Sequence, residues 1–452
     1  MTTSESSKAN HQSSSYLPEW TPNDPVFWER EGKARAWKTL WVTTFGLTLA
    51  FAVWFMVSAI VVRLNDIGFN LSKDQLFWLT AMPGLAAGLT RLRHMFLVPT
   101  YGSRTTLTVS TLGLLIPAVG WGLAVQNPET PFWALLTLAF LAGMGGGNFS
   151  SFMPSTSLFF PKKMQGAALG IQAGIGNFGV SLVQFLTPWV VGVNLFWFLG
   201  SQSEQWVFAG KTSTIWLQNA SWVYIPWLIA AAALSWLLIR SVPIKANMKE
   251  QLAIFGDKHT WIMTSIYMMT FGAFSGLAAA FPLLIKTLYG GFENAPLPLK
   301  FAFLGPLIGS AVRVLFGLIA DKTGGAILTS ISAVGMGLSA IAVTFYVTPT
   351  DLTTFPLFVG TMLAIFFFSG IGNAATFRQM PIIFNPPYSA GVIGWTAAIA
   401  AFGPFIVSML ISFNLAASGN VKGFFYGLAV FCVLNLGLNW YFYGRRGAEK
   451  PS

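Results

Sequence analysis

Twelve apolar runs, each about twenty residues or more, follow one another along the chain. They lie at approximately 39–62, 76–98, 105–125, 131–153, 166–193, 221–240, 261–284, 300–320, 326–346, 354–378, 390–414 and 423–443. A run of that length spans the roughly 30 Å hydrocarbon core of a bilayer at about 1.5 Å of helix rise per residue. In lipid the backbone must satisfy its own hydrogen bonds, so each run is predicted to be a membrane helix. Composition agrees, with 54% of the 452 residues hydrophobic and 9% charged, against about 25% charged in a soluble domain. The predicted fold class is an all-α membrane protein with twelve transmembrane helices.

A hydrophilic stretch, SVPIKANMKEQLAIFGDKHT, splits the runs into two sets of six. The expected organisation is a cytoplasmic tail and interfacial segment (1–38), a six-helix bundle (39–240), a cytoplasmic connector (241–260), a second six-helix bundle (261–443) and a terminal tail (444–452). The sets repeat in parallel. Thr44-Phe45-Gly46 of span one returns 226 residues on as Thr270-Phe271-Gly272 of span seven. Gly145 and Met153-Pro154 of span four return at offset 227 as Gly372 and Met380-Pro381 of span ten. Gly170, Ala173, Ile175, Phe178 and Gly179 of span five return at offset 224 as Gly394, Ala397, Ile399, Phe402 and Gly403 of span eleven. Arg91 and Arg313, in spans two and eight, stand 222 apart. Each match is weak alone, but all join span n to span n+6, the signature of two six-helix pseudo-repeats.

The net charge of +11 follows topology. One side gathers Arg30, Lys33, Arg35, Lys38, Arg104, Lys162, Lys163, Lys245, Lys249 and Lys258; the other holds Arg63, Lys73, Lys211, Lys286, Lys300 and Lys422. The richer side carries both termini, which are therefore expected in the cytoplasm. Trp20, Phe27, Trp28 and Trp37 interleave with the first four of those cations, a composition suited to the headgroup level and to contact with membrane lipids. The Ser-rich start lacks the core of a cleavable signal, so the first apolar run is expected to act as an uncleaved anchor. No run of five basic residues is present, which excludes nucleic acid as a partner. The single cysteine, Cys432, supports neither an internal disulfide nor a thiolate metal site. No nucleophile–base pair or metal-ligand cluster is legible, so neither an enzyme nor a metal or other cofactor is expected.

All fifteen acids fall in tails, in loops or at span ends. Carriers of cations commonly keep a carboxylate at mid-membrane, so a cationic substrate is disfavoured, as is proton coupling through a carboxylate. Two arginines do sit inside apolar runs, Arg91 in LTAMPGLAAGLTRLRHMFLVP and Arg313 in span eight. An arginine at bilayer depth costs roughly 2.5–3.5 kcal/mol on insertion scales. With no acid on either helix, the missing negative charge is assigned to the cargo. The planar fork of guanidinium suits two-point contact with a planar oxyanion. Backbone carbonyls that satisfy two structural arginines are the plainer alternative. Arg93 and His94 read as snorkelling to the interface, and Arg378 as either a gate or coupling residue or another snorkelling cation. Span five, GALGIQAGIGNFGVSLVQ, carries Gly174 and Gly176 around Asn177. Its glycines suit close helix packing and bare backbone to a small ligand, while Asn177 offers a donor. Phe149 in span four, and Tyr267 and Phe271 in span seven, are either core aromatics or a wall against a flat anion.

The chain resembles the nitrate/nitrite porter family of the major facilitator superfamily. The resemblance runs from EWTPNDPVFW to the terminal YGRR. It rests on NDIGFNLSKDQLFWLTAMPGLAAGLTR, GGGNFSSFMPSTSLFFPKKMQGAALG, GIQAGIGNFGVSLVQ, TFGAFSGLAAAF and GPLIGSAVRVLFGLIADKTGG. It implies the major facilitator fold and a bacterial inner-membrane carrier of nitrate and nitrite, monomeric by default for this fold. Arg91 and Arg313 match the family's substrate arginines, Asn177 with Gly174 and Gly176 its signature helix, and Phe149 and Tyr267 its aromatic substrate contacts. Arg378, Phe271 and Gly403 are candidate gate or coupling positions. The chain departs from the family pattern in span eleven, GWTAAIAAFGPF, where Ala398, Ala400 and Ala401 replace glycine. Nitrate-for-nitrite exchange is the expected activity, with proton-coupled nitrate uptake the close alternative and a non-transporting anion sensor a remote one.

Overall fold

The computed structural model describes residues 16–199, 202–243, 253–385 and 388–452. The Ser-rich tail, residues 244–252 of the connector and the side chains of Asp321 and Lys322 in the loop motif after span eight lie outside the described residues. Among the described residues, eleven helical segments are long and apolar enough to cross a membrane. One of them, Lys73–Ala124, has 52 residues, about 78 Å if straight, far more than one crossing needs. It reverses at Gly102, whose φ of 75° and ψ of 162° break the helix. Thr106 Oγ1 reaches back to the Leu97 carbonyl at 3.2 Å, a contact open only to a chain that has turned on itself. The reversal makes twelve.

In chain order the helices are α1 Pro25–Ile67, α2 73–101, α3 103–124, α4 Phe132–Ser157, α5 Lys162–Val190, α6 Asn219–Leu238, α7 Lys258–Tyr289, α8 Leu299–Ala320, α9 Gly325–Val343, α10 Phe355–Ile383, α11 Tyr388–Ser418 and α12 Lys422–Gly444. The α2–α3 turn recurs in the second half. Gly324, between α8 and α9, has φ 87° and ψ 146°, and it follows Gly102 at the 222-residue offset that separates the two arginines.

Helix α1 starts earlier than the apolar run. Asp24 caps it by accepting the Val26 N–H at 2.9 Å, with Pro25 in the first turn. From Pro25 on, the aromatic preface is continuous with α1. Its rings are used for packing: Trp20 meets Phe159, and Trp28 and Trp37 meet Phe160, where α4 ends. Between α5 and α6, strands β1 (Glu204–Phe208) and β2 (Lys211–Ile215) form an antiparallel hairpin with Trp206 paired to Ser213.

Three helix pairs dominate the contact between the halves: α2 with α11, α5 with α8, and α1 with α7. Adding six to each number exchanges the first two pairs and maps the third onto itself, so the pseudo-twofold axis passes between α1 and α7. On the face away from the termini the halves are tied by polar contacts. Ser412 donates to Asp74 at 2.8 Å, Gln184 donates to the Ala278 carbonyl at 2.8 Å, and Lys286 pairs with Asp66 at 2.5 Å. Toward the opposite face α5 and α8 border open space, since a Cβ added at Gly166 or Gly170 of α5, or at Gly317 of α8, would meet no atom within 4 Å, while α2 and α11 stay in contact there, Gly394 lying against Met95.

Candidate anion-binding site

Arg91 lies midway along α2 and is 0% exposed. Its Nε donates to the Gly146 carbonyl at 2.8 Å, and its Nη1 donates across the halves to the Ala397 carbonyl of α11 at 2.7 Å. Glycine explains the first of these. The run Gly145-Gly146-Gly147 lets α4 lie against α1 and α2, because a side chain there would collide with the Ala50 carbonyl, with Ala87 and Trp54, or with Thr90. The same run breaks α4 into short helical pieces. Three rings surround the guanidinium, with Phe149 at 4.6 Å and Trp54 and Phe271 each at 5.5 Å. A hydrogen bond to a charged group contributes about 1.5–3 kcal/mol, and a cation–π contact roughly 0.5–2. Together these hold the side chain at depth without neutralising it, and Nη2 is buried with no partner.

Arg313, on α8, is 6% exposed and packs its guanidinium on Phe377 at 4.9 Å. Its Nη1 is buried without a partner. Among the described residues neither arginine forms an ion pair with a carboxylate. The two lie within electrostatic reach of each other, and the Tyr267 hydroxyl within reach of both. That hydroxyl is itself buried and faces Arg313 without a hydrogen bond of ordinary geometry. Tyr267 stacks on Phe271 with centroids 5.4 Å apart and planes 6° from parallel. A turn of π-helix, Met268–Gly272, begins just after Tyr267 and contains Phe271, and it presents both rings to the interior, a recurrent use of such bulges at functional positions. Tyr267 also meets Phe377 at 5.3 Å, and Phe149 meets Phe377 edge-on at 6.5 Å. One continuous aromatic wall thus runs from one guanidinium to the other.

Two amides complete the unpaired set. Asn177 on α5 is 1% exposed and Asn373 on α10 is 0% exposed, and neither the oxygen nor the nitrogen of either amide has a partner. Buried polar groups are rarely left so. Asn373 lies one turn before Phe377, hence on the same face of α10.

A model of the Major Facilitator Superfamily matches residues 43–381. The chain is 59% identical over 437 residues to a protein named probable nitrate/nitrite antiporter NarK2 from Thermus thermophilus, covering 96% of this chain and 98% of that one. It is 35% identical over 460 residues to the nitrate/nitrite transporter NarU of Escherichia coli strain K12, covering 97% and 98% respectively. A nitrite extrusion protein of Bacillus subtilis strain 168 matches at 25% over 382 residues, covering 83% of this chain and 87% of that protein.

The chain belongs to the nitrate/nitrite porter family of the major facilitator superfamily.

In this porter the signature glycines of α5 face other helices. Gly174 lies where a side chain would strike Val314 of α8 and Gly176 where it would strike Leu47 of α1, while Gly179 seats against the Thr48 carbonyl. Gly403 does in α11 what Gly179 does in α5, seating against the Gly272 carbonyl of α7. Both partners keep the 224-residue offset. The alanines that replace glycine in the porter's second signature do not keep α11 straight. It breaks after Ala400 and resumes at Gly403, where Gly84 and Gly88 of α2 receive Pro404, Phe405 and the Phe402 ring. Arg378 is exposed, low in α10. Of the two neighbours expected to snorkel, Arg93 is exposed, but His94 is 6% exposed and shares a 3.0 Å hydrogen bond with Ser151, because α4 covers that side of α2. Phe377 and Asn373 escaped the sequence reading. Phe377 stands 228 residues after Phe149, one off the register of its span pair, whereas Asn373 did carry a signal, since it ends a Gly-Ile-Gly-Asn tetrapeptide identical to the one that ends at Asn177.

Proposed function

We propose that this porter exchanges nitrate for nitrite across the bacterial inner membrane by alternating access, with both termini in the cytoplasm. The observation that carries the reading is a pair of buried arginines, one from each half, with free N–H groups and no carboxylate between them. A planar oxyanion supplies the absent charge and accepts from both forks. In the proposed complex Asn177 and the Tyr267 hydroxyl donate to it, and Asn373 offers a further amide. Phe149, Tyr267, Phe271 and Phe377 exclude water from its faces, which strengthens each polar contact. Gly174, Gly176 and Gly403 serve by letting α5 and α11 close on their neighbours. Arg378 sits on the cytoplasmic path and acts as a gate residue.

Exchange follows from electrostatics. At an effective dielectric near 20, like charges about 8–10 Å apart repel by roughly 2 kcal/mol. An empty carrier meets that penalty whenever its halves close, and a bound anion removes it. Each crossing is therefore favoured when loaded, which couples the outward and inward trips. The site is complete within one chain, so a monomer suffices, surrounded by lipid. Counterflow in proteoliposomes tests the reading. External nitrate uptake should require internal nitrite or nitrate and should proceed with no pH gradient. Uptake into anion-free vesicles driven by a pH gradient would contradict it and favour proton symport.

A further inference from the structure

The closed outer face holds a second, smaller excess of positive charge. Arg63, near the end of α1, is 7% exposed. Its Nη1 donates to the Ala59 carbonyl at 3.2 Å, its guanidinium lies over the Trp206 ring at 5.5 Å, and its Nε is buried with no partner. The carboxylate within electrostatic reach is Asp66, and both its oxygens are engaged elsewhere. Oδ1 accepts from Lys286 Nζ at 2.5 Å, and Oδ2 accepts from the Trp206 indole N–H at 3.0 Å. Lys286 belongs to α7 and donates also to the Val62 carbonyl at 2.5 Å, so this pair crosses the halves. Among the described residues, buried Arg63 and partly buried Lys286 share one carboxylate, and Arg63 forms no ion pair. A small cavity opens beside them, lined by Arg63, Asp66, Pro188, Trp206, Phe208 and Lys300. Lys300, from the second half, adds another cation at its exposed rim.

We propose that this cavity is a second anion site, an outer station where a small monovalent oxyanion rests on Arg63 between the halves. The proposal rests on the reading of the chain as an anion exchanger but uses none of the central residues. Its position fits a route inward. Arg63 is nine residues beyond Trp54, whose ring lies against Arg91, which is about 14 Å farther out along the same helix. The indole of Trp206 offers a flat anion a flat surface, and the hairpin screens the cavity from water. Asp66 is the competitor for Arg63. The station is strongest while Lys286 holds Asp66, and opening of the outer face frees Asp66 to displace the anion inward.

The test is sided. Nitrate half-saturation is measured for Arg63→Gln and Arg63→Lys in oriented vesicles, with nitrate added outside or inside. Arg63→Gln should raise the outer half-saturation roughly three- to ten-fold more than the inner one, with Arg63→Lys between it and the parent. Equal effects on the two sides, or none, would overturn the station. Binding separates it from the central site. In the Arg91→Gln/Arg313→Gln protein, nitrate should still quench Trp206 fluorescence saturably. That quenching should vanish on adding Arg63→Gln or Trp206→Phe. Absence of an Arg63-dependent component there refutes the station, whereas transport that survives the loss of Arg91 and Arg313 refutes the central reading alone.

Discussion

A buried amide without a partner is a liability to the fold unless something visits it. Asn177 and Asn373 each leave both polar atoms unsatisfied, so replacing either with leucine removes a desolvation penalty of about 1–3 kcal/mol. Thermal unfolding of Asn177→Leu and Asn373→Leu should occur at or above the parent temperature while nitrate exchange falls several-fold. A loss of stability with flux retained would mark them as structural. The arginines were legible in the sequence because a charge in an apolar run is conspicuous and the repeat offset paired them. Asn373 was legible only through the Gly-Ile-Gly-Asn tetrapeptide it shares with Asn177, a match that joins span five to span ten and so falls outside the six-span offset that paired the arginines. The partners of Arg91 were half legible. Backbone carbonyls stood as the plain alternative, but that one of them comes from Ala397 in the other half depends on how α2 meets α11, which no local pattern encodes.

Among elements, the crossing helices set the tolerances. Gly179 and Gly403 each face a carbonyl of α1 or α7, so an added methyl must push two helices apart, at about 1–3 kcal/mol. Gly403→Ala should lower both the unfolding temperature and the exchange rate. Gly166→Ala, with open space before it, should change neither, and size-exclusion stability assays on the two proteins check the contrast. The 224-residue offset announced this pairing of glycines, whereas their role in packing appeared only with the neighbouring helices in place. The outer hairpin was invisible as structure because it lies in a stretch read as loop. There Glu204 is half-buried, its Oε2 accepts the Leu217 N–H at 3.1 Å, and its Oε1 has no partner. Desolvation pushes its carboxyl up to about 7. A raised folded-state value means that the native form binds the extra proton. The hairpin is therefore most stable below the ordinary carboxylate range and loses stability as pH climbs toward 7. Glu204→Gln should flatten the fall of unfolding temperature between about pH 5 and 8.

At the scale of the molecule, the twelve spans and their duplication were readable from run length and offset, including the separation of α2 from α3, which in the structure form one helical stretch until Gly102 turns it back. The state of the carrier was not readable. The halves meet through Asp74 and Ser412, Gln184 and Ala278, and Asp66 and Lys286 on one face, while α5 and α8 border open space toward the other, and sequence cannot choose between two arrangements of the same helices. The account as a whole turns on two guanidiniums that the protein holds but does not neutralise. Exchange of nitrate for nitrite in proteoliposomes by Arg91→Lys and Arg313→Lys is its most direct test. Each keeps the charge and loses the planar fork, so flux should fall roughly ten- to hundred-fold with the protein still folded. Near-parental flux in either variant would contradict it.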